Sequence, residues 1–216
     1  MNRQRTTWSI AFCMIAGVTL ASIPFTATAH AQEEKNIEAE YTVTAATEVE
    51  FDSGVGTITF ERTEGDVMHV AIRAYKDDDT FFNKDGHVED AELEAKQSGN
   101  RITLSVPKQD GIQIDWVIKL PKVARVDTDL GVGVIEGELW TTNLQFDLGV
   151  GEVNLDLYGD YSSVKVDVGV GDSTIKGTGN IENNRFLMTA NSRAYSNGES
   201  RINIDNGVGE VTVHMH

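Results

Sequence analysis

The chain has a single cysteine, Cys13, in 216 residues. It also has few bases, 18 Lys and Arg against 34 Asp and Glu, for a net charge of −16. The missing cysteines leave no disulfide framework, so the fold has to rest on its hydrophobic core. The shortage of bases excludes nucleic acid and anionic lipid as partners, because a strongly negative surface repels both. Catalytic signatures are absent as well: no Gly-x-Ser-x-Gly elbow, no His-Glu-x-x-His, no phosphate-loop or dinucleotide glycine pattern, and no cysteine nucleophile outside the first residues. Aromatic residues are only 7% of the chain. That is lean for a carbohydrate-active enzyme, the serious enzymatic alternative in an acidic repeat protein.

Residues 1–31 read as a secretory signal peptide. Arg3 and Arg5 supply the positive start, Trp8 to Pro24 the apolar stretch, and Ala29-His30-Ala31 the small-x-small cleavage signature. Thr19, Ser22 and Pro24 leave that stretch short of the roughly 20 apolar residues of a membrane span. Cys13 follows Phe12 near its beginning, the wrong place and neighbour for lipid attachment. Cleavage before Gln32 would remove Arg3 and Arg5, leaving 16 bases against 34 acids, a net charge of −18. It would also remove the cysteine. The expected location is outside the cytoplasm, in the periplasm or at the cell surface.

What the chain does have is a repeat. Gly-Val-Gly occurs at 54–56, 131–133, 149–151, 169–171 and 207–209, each copy with an aspartate two residues ahead: Asp52, Asp129, Asp147, Asp167 and Asp205. Apolar residues alternate on both sides, most clearly at Leu144, Phe146 and Leu148 and then at Val153, Leu155 and Leu157. Period-2 alternation means half-buried strands. The parity changes across the glycines, which calls for a bulge or corner, with Val150 counted on the inward side.

The glycine steps are 18, 20 and then 38 residues, or twice 19, which predicts one degenerate rung around Phe186-Leu187-Met188. The 77 residues from Gly54 to Gly131 predict about four further turns, built from strand-like pieces at 67–75, 102–106 and 116–120, with a tight turn at Ser98-Gly99-Asn100. The fold expected is all-β with almost no helix: one domain over 32–216, less regular to about residue 121 and regular from about 122. It is read as a parallel β-helix with rungs of 18–20 residues and Gly-Val-Gly corners, an antiparallel β-sandwich being the alternative.

Ile118-Lys119-Leu120-Pro121, followed by tandem Asp-x-Gly-Val-Gly-Glu/Asp copies, resembles the bacterial exported β-strand-repeat proteins labelled "putative adhesins", over roughly residues 40–216. The resemblance implies a parallel β-helix at the cell envelope, a family function largely unassigned, and no catalytic residues.

Four groups are candidates for chemistry. Stacking of the copies would bring Asp129, Asp147, Asp167 and Asp205 into one column, where neighbours at ~4.8 Å repel by ~0.9 kcal/mol in water and ~3.5 kcal/mol at an effective dielectric of 20. Hydrogen bonds from corner N–H groups, exposure to water, or a bridging calcium would relieve this. Glu152, Asp172 and Glu210 form a second acidic column. The polar run from Asp77 to Glu94 is the interaction-loop candidate, through Asp77, Asp78, Asp79, Phe81, Phe82 and Asp85. His214 and His216, two apart on a strand, are of a kind that can chelate zinc, but no third ligand can be named and they are read as exposed polar positions without a function. The reading is a non-catalytic, monomeric envelope interaction scaffold with an unidentified partner; a calcium- or glycan-binding module is the alternative, and a carbohydrate-active enzyme the third reading.

Overall fold

In the computed structural model, residues 33–76 and 86–216 are described. The proposed signal peptide and the residues Asp77, Asp78, Asp79, Phe81, Phe82 and Asp85 lie outside them.

The described residues are all-β apart from one 3₁₀ turn, Val88–Asp90. The strands are β1 (Glu34–Thr42), β2 (Glu48–Arg62), β3 (Val67–Lys76), β4 (Glu94–Ser98), β5 (Arg101–Ser105), β6 (Ile112–Leu120), β7 (Arg125–Trp140), β8 (Asn143–Tyr158), β9 (Tyr161–Lys176), β10 (Asn180–Phe186), β11 (Thr189–Tyr195) and β12 (Ser200–Met215). They form one mixed, open sheet in the order β1-β3-β6-β2-β7-β8-β12-β9-β11-β10, with β5 also beside β2 and β4 beside β5. Among the described residues no helix is long and apolar enough to cross a membrane.

The five Gly-Val-Gly copies lie on β2, β7, β8, β12 and β9, which are consecutive and parallel in the sheet. Their registers align glycine with glycine: Gly56 with Gly133, Gly133 with Gly151, Gly151 with Gly209, Gly209 with Gly171. Identical positions therefore stack, and the inward residues fill one core. Phe51, Phe60, Trp116 and Phe146 are fully buried, with Phe60 and Phe146 stacked at 5.7 Å. Trp116 Nε1 donates to Ser53 Oγ at 3.1 Å, which satisfies the one polar atom that this large ring brings inside.

Apart from Gly54, which faces only the Lys108 side chain, the glycines of the copies are sterically required. A Cβ on Gly151 would lie 1.7 Å from the carbonyl oxygen of Gly133, and one on Gly149 would lie 2.4 Å from that of Gly131. Gly151 also has φ +144°, a conformation closed to residues with side chains. The expected corner residues are thus close-approach points as well as special backbone positions.

The sequence-based winding needs three corrections. β2 lies directly beside β7, so the 77-residue step contains no further turns in the Gly-Val-Gly series. The intervening pieces instead flank β2 on its other edge, β5 along its first half and β6 along its second, with β3 and β1 continuing antiparallel. The expected degenerate rung is an antiparallel hairpin, β10–β11, whose tip exposes Phe186, Leu187 and Met188. Finally, the copies are not stacked in chain order, because β12 is inserted between β8 and β9. The turn at Gly99-Asn100 stands as expected, closing the β4–β5 hairpin with Gly99 at φ +61°.

Candidate interaction face

The five aspartates do form one column, in the order Asp52, Asp129, Asp147, Asp205, Asp167. All point outward. Of the expected reliefs exposure to water is the one seen, since none of the hydrogen bonds to them comes from a corner backbone N–H. Asp147 accepts from Gln145 Nε2 at 3.3 Å. Asp167 accepts from Arg193 at 2.8 Å and lies 2.8 Å from Lys165 Nζ.

The column is therefore electrostatically uneven. Partial burial raises the pKa of Asp147 above the usual carboxylate value, and repulsion from Asp205 and Asp129 adds to this against the Gln145 hydrogen bond. At Asp167 partial burial also pushes upward, but hydrogen bonds and charge from Lys165 and Arg193 outweigh it and hold the carboxyl low. A shallow groove of about 570 Å³ runs along the column, bounded by Asp129, Asp147, Asp205 and Asp167 and by Thr189 and Asn191 of β11.

Five residues further along, the second acidic column is also formed. Glu152, Glu210 and Asp172 are in register on β8, β12 and β9, and Arg185 of β10 pairs with Asp172 at 2.7 Å.

Between the two columns stands a feature that sequence reasoning missed. The central valines of Gly-Val-Gly, counted as inward, point into solvent: Val132, Val150, Val208 and Val170 are 43–47% exposed and in register on four adjacent strands. The inward series ends at Leu148 and resumes at Val153, so two successive residues, Gly149 and Val150, both face out. One signal was legible in the repeat. The preceding inward position varies, being Ser53, Leu130, Leu148, Val168 and Asn206, while the central residue is valine in all five copies. At the far end of this ridge, Gly171 N donates to Met188 O at 2.8 Å, setting the apolar tip Phe186-Leu187-Met188 beside Val170. The result is an exposed apolar line with an acidic rail on each side. Exposed apolar surface of this continuity marks interaction surfaces.

The histidine pair gains a partner from β8: Asp156 Oδ1 lies 2.6 Å from His216 Nε2. The acidic loop candidate lies outside the described residues.

Residues 26–176 match the protein family described as the N-terminal domain of toast_rack, DUF2154. No curated protein matches the chain. Among solved structures, a putative cell adhesion protein from Clostridium sporogenes is 16% identical, covering 84% of this chain and 100% of that one, with a TM-score of 0.47. A putative adhesin from Parabacteroides merdae is 15% identical over 58% of this chain and 53% of its own, with a TM-score of 0.29. A putative lipid binding protein from Parabacteroides distasonis is 10% identical over 83% and 62%, with a TM-score of 0.30.

Proposed function

We propose that this chain, which belongs to the family of the N-terminal domain of toast_rack, is a non-catalytic, adhesin-like interaction scaffold exported to the bacterial cell envelope. The adhesin names of two similar structures agree with that reading. Its Gly-Val-Gly strands are read as rungs of a parallel β-helix. β7 and β8 are parallel neighbours joined only by Thr141-Thr142. A straight 16-residue strand would run about 50 Å, whereas that link spans at most about 11 Å. The chain must turn back at the glycines for the next copy to begin beside the last.

The observation that carries the functional reading is the in-register ridge of Val132, Val150, Val208 and Val170 between the two acidic columns. Its chemistry suits an extended segment that presents apolar and basic side chains together. Apolar contact supplies burial, and the acidic rails supply steering and register. The test is retention of the purified protein on envelope fractions of the producing bacterium. Val150→Asp combined with Val208→Asp should abolish retention while leaving the melting temperature within a few degrees of wild type. Equal retention by the variant would refute the ridge as the binding face. Export is tested by N-terminal sequencing of the protein recovered outside the cytoplasm, with Gln32 expected at or near the first position.

One observation favours a second reading, a calcium-binding module: four aligned aspartates border the groove, and Asp147 has no cationic partner among its hydrogen bonds. Calcium added to metal-free protein discriminates the two readings. The scaffold reading expects an unchanged melting temperature, and a rise with calcium but not magnesium would favour the module.

A further inference from the structure

The two histidines near the end of β12 meet a carboxylate from another strand. His214 and His216 are two residues apart, so they project from one side of β12, opposite the buried Val211, Val213 and Met215. β8 runs parallel beside it, with Asp156 in register with His214. Asp156 Oδ1 lies 3.4 Å from His214 Nδ1 and 2.6 Å from His216 Nε2. All three donor atoms fall within 4.8 Å of one another.

We infer that Asp156, His214 and His216 form a zinc site, with an exchangeable ligand such as water in the fourth position. Zinc takes imidazole nitrogen and carboxylate oxygen at about 2.0–2.2 Å, so donors at the corners of its tetrahedron are about 3.4 Å apart. The His214–Asp156 separation already has that value. The shorter His216–Asp156 contact is a hydrogen bond whose proton the metal replaces. Two imidazoles among three donors select a borderline transition ion over calcium or magnesium, which take oxygen ligands.

The rings are held in place before any metal arrives. His216 stacks on Tyr158 at 4.5 Å with an interplanar angle of 11°, and the Arg62 guanidinium covers the Tyr158 ring at 4.0 Å. His214 Nε2 is buried with no hydrogen-bond partner, so Nδ1 is the nitrogen of that ring open to a ligand. The charged groups facing the donors from neighbouring strands are Glu138, in register with Asp156 on β7, and Lys176, in register with His214 on β9. Arg62 reaches toward Glu138 at 3.8 Å. Glu138 adds to the attraction for a dication and Lys176 opposes it.

The experiment is isothermal titration of zinc into tag-free, metal-stripped full-length protein, with melting temperatures recorded in parallel. The expected result is saturable binding of one zinc per chain and a melting temperature that rises with zinc. His216→Ala should weaken binding at least ~10-fold. His216 is exposed, so losing its contacts to Tyr158 and Asp156 should lower the metal-free melting temperature by only a few degrees, and this variant remains interpretable even if Asp156→Ala or His214→Ala does not fold. His69→Ala, at a histidine paired with Glu40 on the distant β3, should bind as wild type does. Absence of saturable binding, wild-type affinity in His216→Ala, or displacement of zinc by equimolar calcium would overturn the assignment.

Discussion

The parallel centre of the sheet and its antiparallel margins obey different rules of neighbourhood. In β2, β7, β8, β12 and β9 each residue lies beside its own equivalent, so like sits on like. That is favourable for apolar side chains, permissive for glycine, and unfavourable for aspartate. In the antiparallel pairs unlike residues meet: Arg73 pairs with Asp115 across β3 and β6, and Arg193 with Asp167 across β11 and β9. In-register repetition thus builds continuous columns of like charge, and at the edge Asp167 is relieved both by Lys165 on its own strand and by Arg193 on an antiparallel strand of different sequence. Asp147 and Asp167 are equivalent residues with opposite pKa shifts because only Asp167 has cationic partners, Lys165 on its own strand and Arg193 on the antiparallel β11.

The comparison is most severely tested in the core column. Leu155 is fully buried and stands in register with Val213. Leu155→Asp inserts an unpaired charge there and should leave the protein unfolded at 25 °C by circular dichroism. Melting within a degree or two of wild type would mean that the column is not a cooperative core.

Close approach is tested next, by alanine at two glycines that both have positive φ. Gly151→Ala meets the Gly133 carbonyl and should cost more than ~2 kcal/mol, whereas Gly99→Ala has nothing within 4 Å and should cost ~1 kcal/mol for backbone conformation alone. Equal losses in denaturant titration would show that conformation, not parallel stacking, demands the glycines.

Charge supplies the subtlest tests. The pKa of Asp147 is raised on folding, so its contribution to stability is fully present below the unfolded value and is lost as pH rises through the folded one. Asp147→Asn should therefore stabilise at pH 7 by about 0.2–1 kcal/mol, less at high salt, with no gain below pH ~3. The pKa of Asp167 is lowered, so its contribution is present above the unfolded value and is lost as pH falls through the folded one. Asp167→Asn should destabilise at pH 7 by up to ~1 kcal/mol. Smallest of all, Arg193→Ala should raise the Asp167 carboxyl pKa toward that of Asp147, read by NMR titration. An unmoved Asp167 would mean that the margin does not neutralise the column.

Much of this was legible in the residues. Alternation located the Gly-Val-Gly strands and the pieces at 67–75, 102–106 and 116–120, and the Asp-x-Gly-Val-Gly copies foretold the aligned glycines and the aspartate column. The valine ridge was misassigned because strict period-2 counting carried the inward series one step too far, through Val150. The third partner of His214 and His216 was illegible because Asp156 lies on another strand, 58 residues before His214.

The amino-acid sequence by itself determined the all-β class, the side-chain alternation and the positive-φ glycine that ends each Gly-Val-Gly. These follow from local sterics, which act within a few residues. Tertiary structure alone decided the order of the strands, with β12 between β8 and β9, and the conversion of the expected degenerate rung into the β10–β11 hairpin. The reason lies in the repeat itself. Backbone hydrogen bonds do not read sequence, and near-identical copies fit one another in any order, so their arrangement is chosen by packing across the whole sheet.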